Sequence, residues 1–260
     1  MESDTDEQIN VLGIKVNVTN LPLACQKIER WIKSGTKTYV CVAPVATIVD
    51  SQKDPQYRDI VNSAGMVTPD GMPLVWLGKL SGWKRIERTY GPDLMLRLCD
   101  LSQGKDYRHY FYGSSEQTLT RLAERLRLKF PKLNIAGSFA PDFRGVNQPE
   151  SEEVLTRINQ ANPDILWVAL GSPKQDYWMH LHRSKLKVPV MIGVGAAFDF
   201  LAGTKPQAPL WMRRCGLEWL FRLLCEPRRL WKRYLLGNAQ FIYLLIKDAF
   251  RNRAKNYVAS

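Results

Sequence analysis

The run Ile165 to Leu170, Ile-Leu-Trp-Val-Ala-Leu, has no polar residue at any alternate position. A strand apolar on both sides must be covered on both sides, which is the situation of a parallel sheet enclosed by helices. The run stops at Gly171-Ser172-Pro173 and continues as Lys174-Gln175-Asp176-Tyr177-Trp178. Pro173 suits the first turn of a helix and Ser172 a cap, so the stretch reads strand, tight turn, helix. A second all-apolar run, Pro189 to Val194, exits into Gly193-Val194-Gly195-Ala196-Ala197-Phe198-Asp199. In open α/β sheets ligands bind at such exits, where backbone N–H groups and the positive end of a helix face the crevice.

The remaining pattern extends the same architecture. Ile9 to Val18 reads as two short strands around Gly13, after a segment, residues 1–8, expected to be disordered. Helices are expected over Pro22–Lys33, Val45–Ser63 (broken near Asp54-Pro55), Leu74–Leu80, Pro92–Leu101, Glu116–Lys129 and Ser151–Gln160. Strands are expected over Thr38–Ala43, Met66–Val67, His109–Tyr112 and Asn134–Phe139. Strands alternating with helices of this length predict an α/β, Rossmann-like fold with a mostly parallel sheet and helices on both faces.

The tail differs. From Lys205 onward there are twelve Lys and Arg against Glu218, Glu226 and Asp248, a net of +9 out of the +12 of all 260 residues. Ala208–Cys225 is expected to be one helix rich in Trp and Leu, broken at Glu226-Pro227. A basic aromatic stretch follows, then a short apolar helix over Gln240–Phe250 flanked by Lys247, Arg251 and Arg253. Basic residues opposite Trp, Phe and Leu are the composition of an interfacial membrane helix. The chain therefore divides into an α/β catalytic domain, 1–204, and a basic amphipathic helical appendage for membrane association, 205–260. Residues 1–8 are acidic without an apolar core, and no apolar run approaches the ~18 residues of a spanning helix, so a cytoplasmic, membrane-peripheral protein is expected. The five cysteines are an odd number without paired spacing, so neither a disulfide framework nor a zinc site is expected; Cys25, Cys99 and Cys225 read as reduced core thiols.

Three loops fall at strand ends that share one edge: Pro69-Asp70-Gly71, Gly171 to Gln175, and Gly193 to Asp199, with Gly113-Ser114-Ser115 as a fourth. Glycine-bearing turns at helix starts suit a diphosphate. Asp70 is either a turn former or a general base, and Gln175 a cap or a neutral donor to a sugar or phosphate oxygen. Asp199 is either a ribose ligand or half of a salt bridge. Gly193-Val194-Gly195 lacks the third glycine of a dinucleotide fingerprint, where Phe198 stands, and no P-loop occurs. Asp4-Thr5-Asp6 has the form of a metal-binding Asp-x-Asp but lies in the terminal segment. His180 and His182 do not have ligand spacing.

Several segments together resemble the WecG/TagA/CpsF family of bacterial glycosyltransferases, glycosyltransferase family 26. They are Lys53-Asp54-Pro55 with Asn62-Ser63-Ala64, Pro69-Asp70-Gly71-Met72-Pro73-Leu74-Val75-Trp76, and Arg88-Thr89-Tyr90-Gly91-Pro92-Asp93-Leu94. Leu170 to Asp176, Gly193 to Asp199, Gly216-Leu217-Glu218-Trp219-Leu220 and Glu226-Pro227-Arg228-Arg229 complete the set, in order from about residue 9 to 236. The resemblance implies an inverting transferase without metal or other cofactor, moving a sugar from a UDP donor to a polyprenyl-diphosphate-linked saccharide at the cytoplasmic membrane face. N-acetylmannosamine, its uronic acid and glucose are the donor sugars it allows. It implies Asp70 as the base and Gln175 as a second catalytic residue, with Arg228, Arg229 and Arg233 reaching a diphosphate. The expected substrate-binding set adds Gly71, Arg88, Asp93, Gly113, Gly171, Ser172, Lys174, Gly193, Gly195 and Asp199. Where many members carry Thr and, two residues on, Asn, this chain has Val42 and Pro44. An anionic membrane surface is the expected partner of the tail, nucleic acid is not expected, and a homo-oligomer is open. The rival readings are a nucleic-acid-binding module using the basic tail and a non-catalytic nucleotide-sugar binding protein.

Overall fold

The computed structural model describes residues 7–142, 145 and 148–258, with side chains to Arg251. Asp4-Thr5-Asp6 and the side chain of Arg253 lie outside the described residues. The chain opens with a hairpin, β1 (Gln8–Val11) and β2 (Ile14–Asn17), paired antiparallel from Gln8↔Asn17 to Val11↔Ile14. The expected disorder of residues 1–8 therefore does not extend to Gln8, which pairs in this hairpin, nor to Glu7, whose carbonyl accepts the Val18 N–H at 2.8 Å.

There follow α1 (Leu21–Ser34), β3 (Thr38–Ala43), α2 (Val45–Lys53), α3 (Pro55–Asn62), β4 (Met66–Pro69), α4 (Met72–Leu80), α5 (Gly91–Ser102), β5 (Arg108–Gly113), α6 (Glu116–Lys129) and β6 (Asn134–Phe139). Next come α7 (Glu152–Ala161), β7 (Ile165–Ala169), α8 (Lys174–His182), β8 (Val190–Gly193) and α9 (Ala197–Ala202). Local chemistry sets the boundaries. Asn20 and Ser115 accept the N–H of Leu23 and Thr118 at the starts of α1 and α6. Asp54 accepts the Tyr57 N–H at 3.0 Å with Pro55 behind it, which ends α2 and starts α3. At β7 the expectation is adjusted: Pro173, not Ser172, occupies the cap position of α8, and no side chain caps it.

The six strands β4-β3-β8-β7-β5-β6 form one sheet, all pairs parallel. Trp167, Tyr39 and Phe111 are among its fully buried side chains. One core joins the sheet to the hairpin, α2, α3, α4, α7 and α8; the other joins it to α1, α5, α6 and α9. The continuous apolar runs of β7 and β8 are thus covered on both faces, as their composition requires.

The tail is not one helix followed by another. It forms α10 (Leu210–Arg214), α11 (Glu218–Cys225), α12 (Pro227–Trp231), a π-helical segment (Lys232–Leu236) and α13 (Gly237–Val258). Gly216 separates α10 from α11 at φ 75°, a left-handed conformation that glycine adopts without penalty. Leu230 and Phe241 are buried, and Phe241 belongs to the same core as α2 and α3. The tail therefore packs on the α/β unit. It still leaves Trp211, Leu224, Leu235, Leu236, Ile242, Ile246 and Phe250 exposed. Cys225 is exposed rather than in the core, because α11 turns that face outward, whereas Cys25 and Cys99 are buried thiols as expected.

Candidate active site

The carboxyl edge of the sheet holds a crevice of about 250 Å³. Five strand ends line it: Val42 and Pro44 at the end of β3, Asp70 after β4, Ser114 after β5, Ala169 to Ser172 at the end of β7, and Val194 to Ala197 after β8. Two glycines make this convergence possible. Gly113 sits at φ 115°, and a Cβ there would meet the Ala169 backbone at 2.7 Å. At Gly193 a Cβ would lie 2.8 Å from Gln175 Nε2. Gln175, only 2% exposed, accepts the Gly195 N–H through Oε1 at 3.0 Å and so ties the β7 loop to the β8 loop.

Asp70 stands one residue before the cap position of α4. Its carboxylate Oδ1 accepts from Arg88 Nη2 at 3.3 Å, and Arg88 Nε donates to the Asp70 carbonyl. Burial pushes the Asp70 carboxyl up to about 6; Arg88 pulls it down, Glu218 pushes it up and Arg222 pulls it down. A carboxylate with this proton affinity can accept a hydroxyl proton near neutral pH.

The tail closes the crevice. Lys205, Arg222, Arg229 and Arg233 all line it. A second lobe of about 150 Å³ is lined by Gly71, Met72, Arg88, Glu218, Trp219 and Tyr234, among others. Both lobes share Pro44, Asp70, Arg222 and Arg233, so Asp70 lies in the wall between them.

Most of the expected residues come together here. Asp70, Gln175, Gly171, Ser172, Gly195, Asp199, Arg229 and Arg233 line the first lobe, and Gly71 and Arg88 the second. Asp199 also makes the salt bridge that its sequence position left open, with Lys205 Nζ at 3.1 Å. Gly113 and Gly193 line neither lobe and act only through the close approaches described above, and three further residues stand apart. Lys174 lines a neighbouring cavity with Tyr112, Glu150 and Trp178. Asp93 pairs outside with Arg213 at 3.4 Å. Arg228 and Arg229 are both exposed on α12, and of the two only Arg229 reaches the first lobe, while Arg228 lines neither.

Sequence reasoning missed Arg222, Glu218, Tyr90 and Lys205. Glu218 and Arg222 lie four residues apart on α11, and that spacing on one helix face was the available signal. Among the described residues no three of His, Cys, Asp and Glu are grouped as a metal site needs.

The chain is similar to known proteins over most of its length. The model of the glycosyl transferase WecG/TagA/CpsF family matches residues 9–255. The chain is 33% identical over 208 residues to the N-acetylglucosaminyldiphosphoundecaprenol N-acetyl-beta-D-mannosaminyltransferase of Bacillus spizizenii, covering 80% of this chain and 78% of that one. It is 32% identical to the protein of the same name from Bacillus subtilis, over 84% and 86% of the two chains. The Staphylococcus aureus protein of that name is 23% identical over 88% and 89%.

Proposed function

The chain belongs to the WecG/TagA/CpsF family and is a glycosyltransferase of cell-wall polysaccharide synthesis, and on that premise we propose that it transfers N-acetylmannosamine from a UDP donor to a polyprenyl-diphosphate-linked N-acetylglucosamine. The observation that carries the reading is the position of Asp70 in the wall shared by two lobes. The lobe with Lys205, Arg222, Arg229 and Arg233 suits a diphosphate donor. The lobe beside α4 and α11 takes the acceptor sugar.

The step is a single displacement with inversion. The acceptor hydroxyl oxygen attacks the anomeric carbon, the bond from that carbon to the diphosphate oxygen breaks, and Asp70 takes the hydroxyl proton. The charge that grows on the leaving diphosphate is met by the guanidinium groups, fixed cations in a partly enclosed site, which stand where other transferases use a metal. Gln175 keeps the two glycine loops together under the donor.

The acceptor carries a lipid, and the tail presents exposed Trp211, Leu224, Leu235, Leu236, Ile242, Ile246 and Phe250 among its basic residues. These side chains dock it on the inner face of the membrane; among the described residues no helix is long and apolar enough to cross one. Docking excludes water from a crevice that the tail itself walls.

The test is UDP release from UDP-N-acetylmannosamine, its uronic acid and UDP-glucose, with and without the lipid-linked acceptor in anionic liposomes. Release that needs the acceptor and occurs with the N-acetylmannosamine donor is expected. Asp70→Asn should bind the donor with unchanged affinity and turn over at least ~100-fold more slowly. Full turnover by that variant removes Asp70 from its role.

A further inference from the structure

We infer that Glu218, brought in by the tail, is a positioning residue that competes with Asp70 for Arg88, so that the arginine does not close fully on the carboxylate that takes the acceptor proton. The inference rests on the reading of Asp70 as the base.

One guanidinium nitrogen is shared by two carboxylates. Arg88 Nη2 lies 2.6 Å from Glu218 Oε2 and 3.3 Å from Asp70 Oδ1. The nearer partner comes from α11, across 130 residues of chain. Glu218 is itself fixed at both oxygens, since the Tyr90 hydroxyl donates to Oε1 at 2.8 Å. The Tyr90 ring lies against the guanidinium, 4.1 Å from its carbon, and Gln207 Nε2 donates to the Tyr90 oxygen at 3.3 Å. Arg88 Nη1 also reaches the Arg213 carbonyl at 3.4 Å. Residues 207, 213 and 218 of the tail thus hold Arg88 and Tyr90 of the α/β unit in one arrangement.

The alternative arrangement is readily described. A planar guanidinium freed from Glu218 would close on Asp70 as a two-pronged ion pair. Such a pair stabilises the ionised carboxylate, lowers its proton affinity and ties up the oxygens that must accept the acceptor proton. Glu218 prevents this in two ways. It competes for Nη2, and its own negative charge adds to the larger effect of burial in raising the proton affinity of the aspartate. The other charged or titratable groups facing Asp70 are Arg222 on α11 and Arg233 and Tyr234 on the π-helical segment. Of these, Arg222 acts against Glu218 at Asp70. Burial works against the charge of Arg88, and Asp70 and Glu218 together outweigh it, so Arg88 stays a cation throughout.

The experiment is the pH dependence of kcat/KM between pH 5 and 8.5 for the full chain with liposome-borne acceptor. Wild type, Glu218→Gln, Glu218→Asp, Tyr90→Phe and Asp70→Asn are compared. In Glu218→Gln the acid limb should move down by roughly one pH unit, the plateau should fall about tenfold, and donor affinity by calorimetry should not change. Glu218→Asp, which keeps the charge, should return the limb toward wild type. Tyr90→Phe, which loosens Glu218 without removing it, should shift the limb the same way by less, and it reports even if Glu218→Gln does not fold. An acid limb that stays in place in both Glu218→Gln and Tyr90→Phe overturns the inference and leaves Glu218 a structural strut. An acid limb that persists in Asp70→Asn instead overturns the base assignment, independently of Glu218.

Discussion

Gln175 Oε1 receives the Gly195 N–H at 3.0 Å, and this one buried amide joins the exits of β7 and β8, the two strands at the centre of the crevice. Its Nε2 faces the Ser172 hydroxyl at 3.5 Å, so the same side chain also touches the turn it grew from. Gln175→Ala removes the clamp. Both loops then lose their common reference, and an ångström of misplacement at a reacting centre costs about 100-fold in rate. The variant should lose about that much in kcat/KM. Faster hydrogen exchange at the Gly195 amide should accompany it, and unchanged exchange would mean that the amide acts on substrate rather than on the loops.

The arginines of the tail should separate by position. Arg222 and Arg233 line both lobes, Arg229 lines the first, and Arg228 lines neither. A charge-assisted hydrogen bond to phosphate contributes about 1.5–3 kcal/mol, or roughly 10- to 100-fold. Arg222→Ala and Arg233→Ala should therefore weaken donor affinity or turnover by that factor, measured by calorimetry and initial rates. Arg228→Ala should remain within about twofold of wild type. A loss at Arg228 equal to that at Arg222 would show that the tail docks in a different register.

What was legible in the sequence follows how local the deciding interactions are. The bounds of α6 and β6 are those expected, because Ser115 caps the helix and Leu119, Leu122 and Leu126 lie on one buried face. The break between α2 and α3 was legible from Asp54-Pro55 for the same reason. The crevice was legible as four glycine-bearing strand exits, since parallel topology places every exit on one edge. The path of the tail was not. Gly216 interrupts what periodicity presents as one helix, and the stop depends on packing: a Cβ there would meet Met72 at 3.0 Å and Trp76 at 3.2 Å. Which arginines face the crevice follows from that path, and the path is held by long-range contacts such as Glu218 with Arg88 and the burial of Phe241. No local pattern encodes a contact of that separation, so the sequence does not single out Arg222, while the resemblance names Arg228 beside Arg229 and Arg233.

Acid should unfold the protein partly through His109. The imidazole is fully buried, with Nδ1 accepting from Trp167 Nε1 at 2.9 Å and Nε2 bonded to the Ser102 hydroxyl at 2.8 Å. Burial pushes it down from 6.5 to about 3. The sign follows from proton binding. Between these values the unfolded chain holds a proton that the folded one does not, so stability falls as pH falls through the window, by about 1.4 kcal/mol per pH unit from this group. Asp70, raised to about 6, acts in the opposite direction below neutrality, so the His109 contribution has to be read as a difference. Urea denaturation of wild type and His109→Phe at pH 6.5 and 5.0 should show the variant less stable overall but losing roughly 2 kcal/mol less over the interval. Parallel curves for the two proteins would remove His109 from the account.

Two glycines of the crevice should respond differently to alanine. Gly113 ends β5 at φ 115°, and a Cβ there would meet the carbonyl carbon and oxygen of Ala169 at 2.7 Å. Both atoms belong to the paired strand β7 and cannot move without breaking the ladder. Gly171 has φ 78° but no atom within 4 Å of an added Cβ. Gly171→Ala therefore carries only the backbone cost of a left-handed residue, about 1 kcal/mol. Gly113→Ala adds the collision and should cost roughly 3 kcal/mol. For a chain of this size the second change corresponds to a Tm lower by roughly 6–12 °C and the first to about 2–4 °C. Calorimetric melting of the two variants measures both shifts. Equal shifts would mean that β5 and β7 separate at their ends without penalty, and that the close approach of Gly113 to Ala169 does not hold the crevice edge in place.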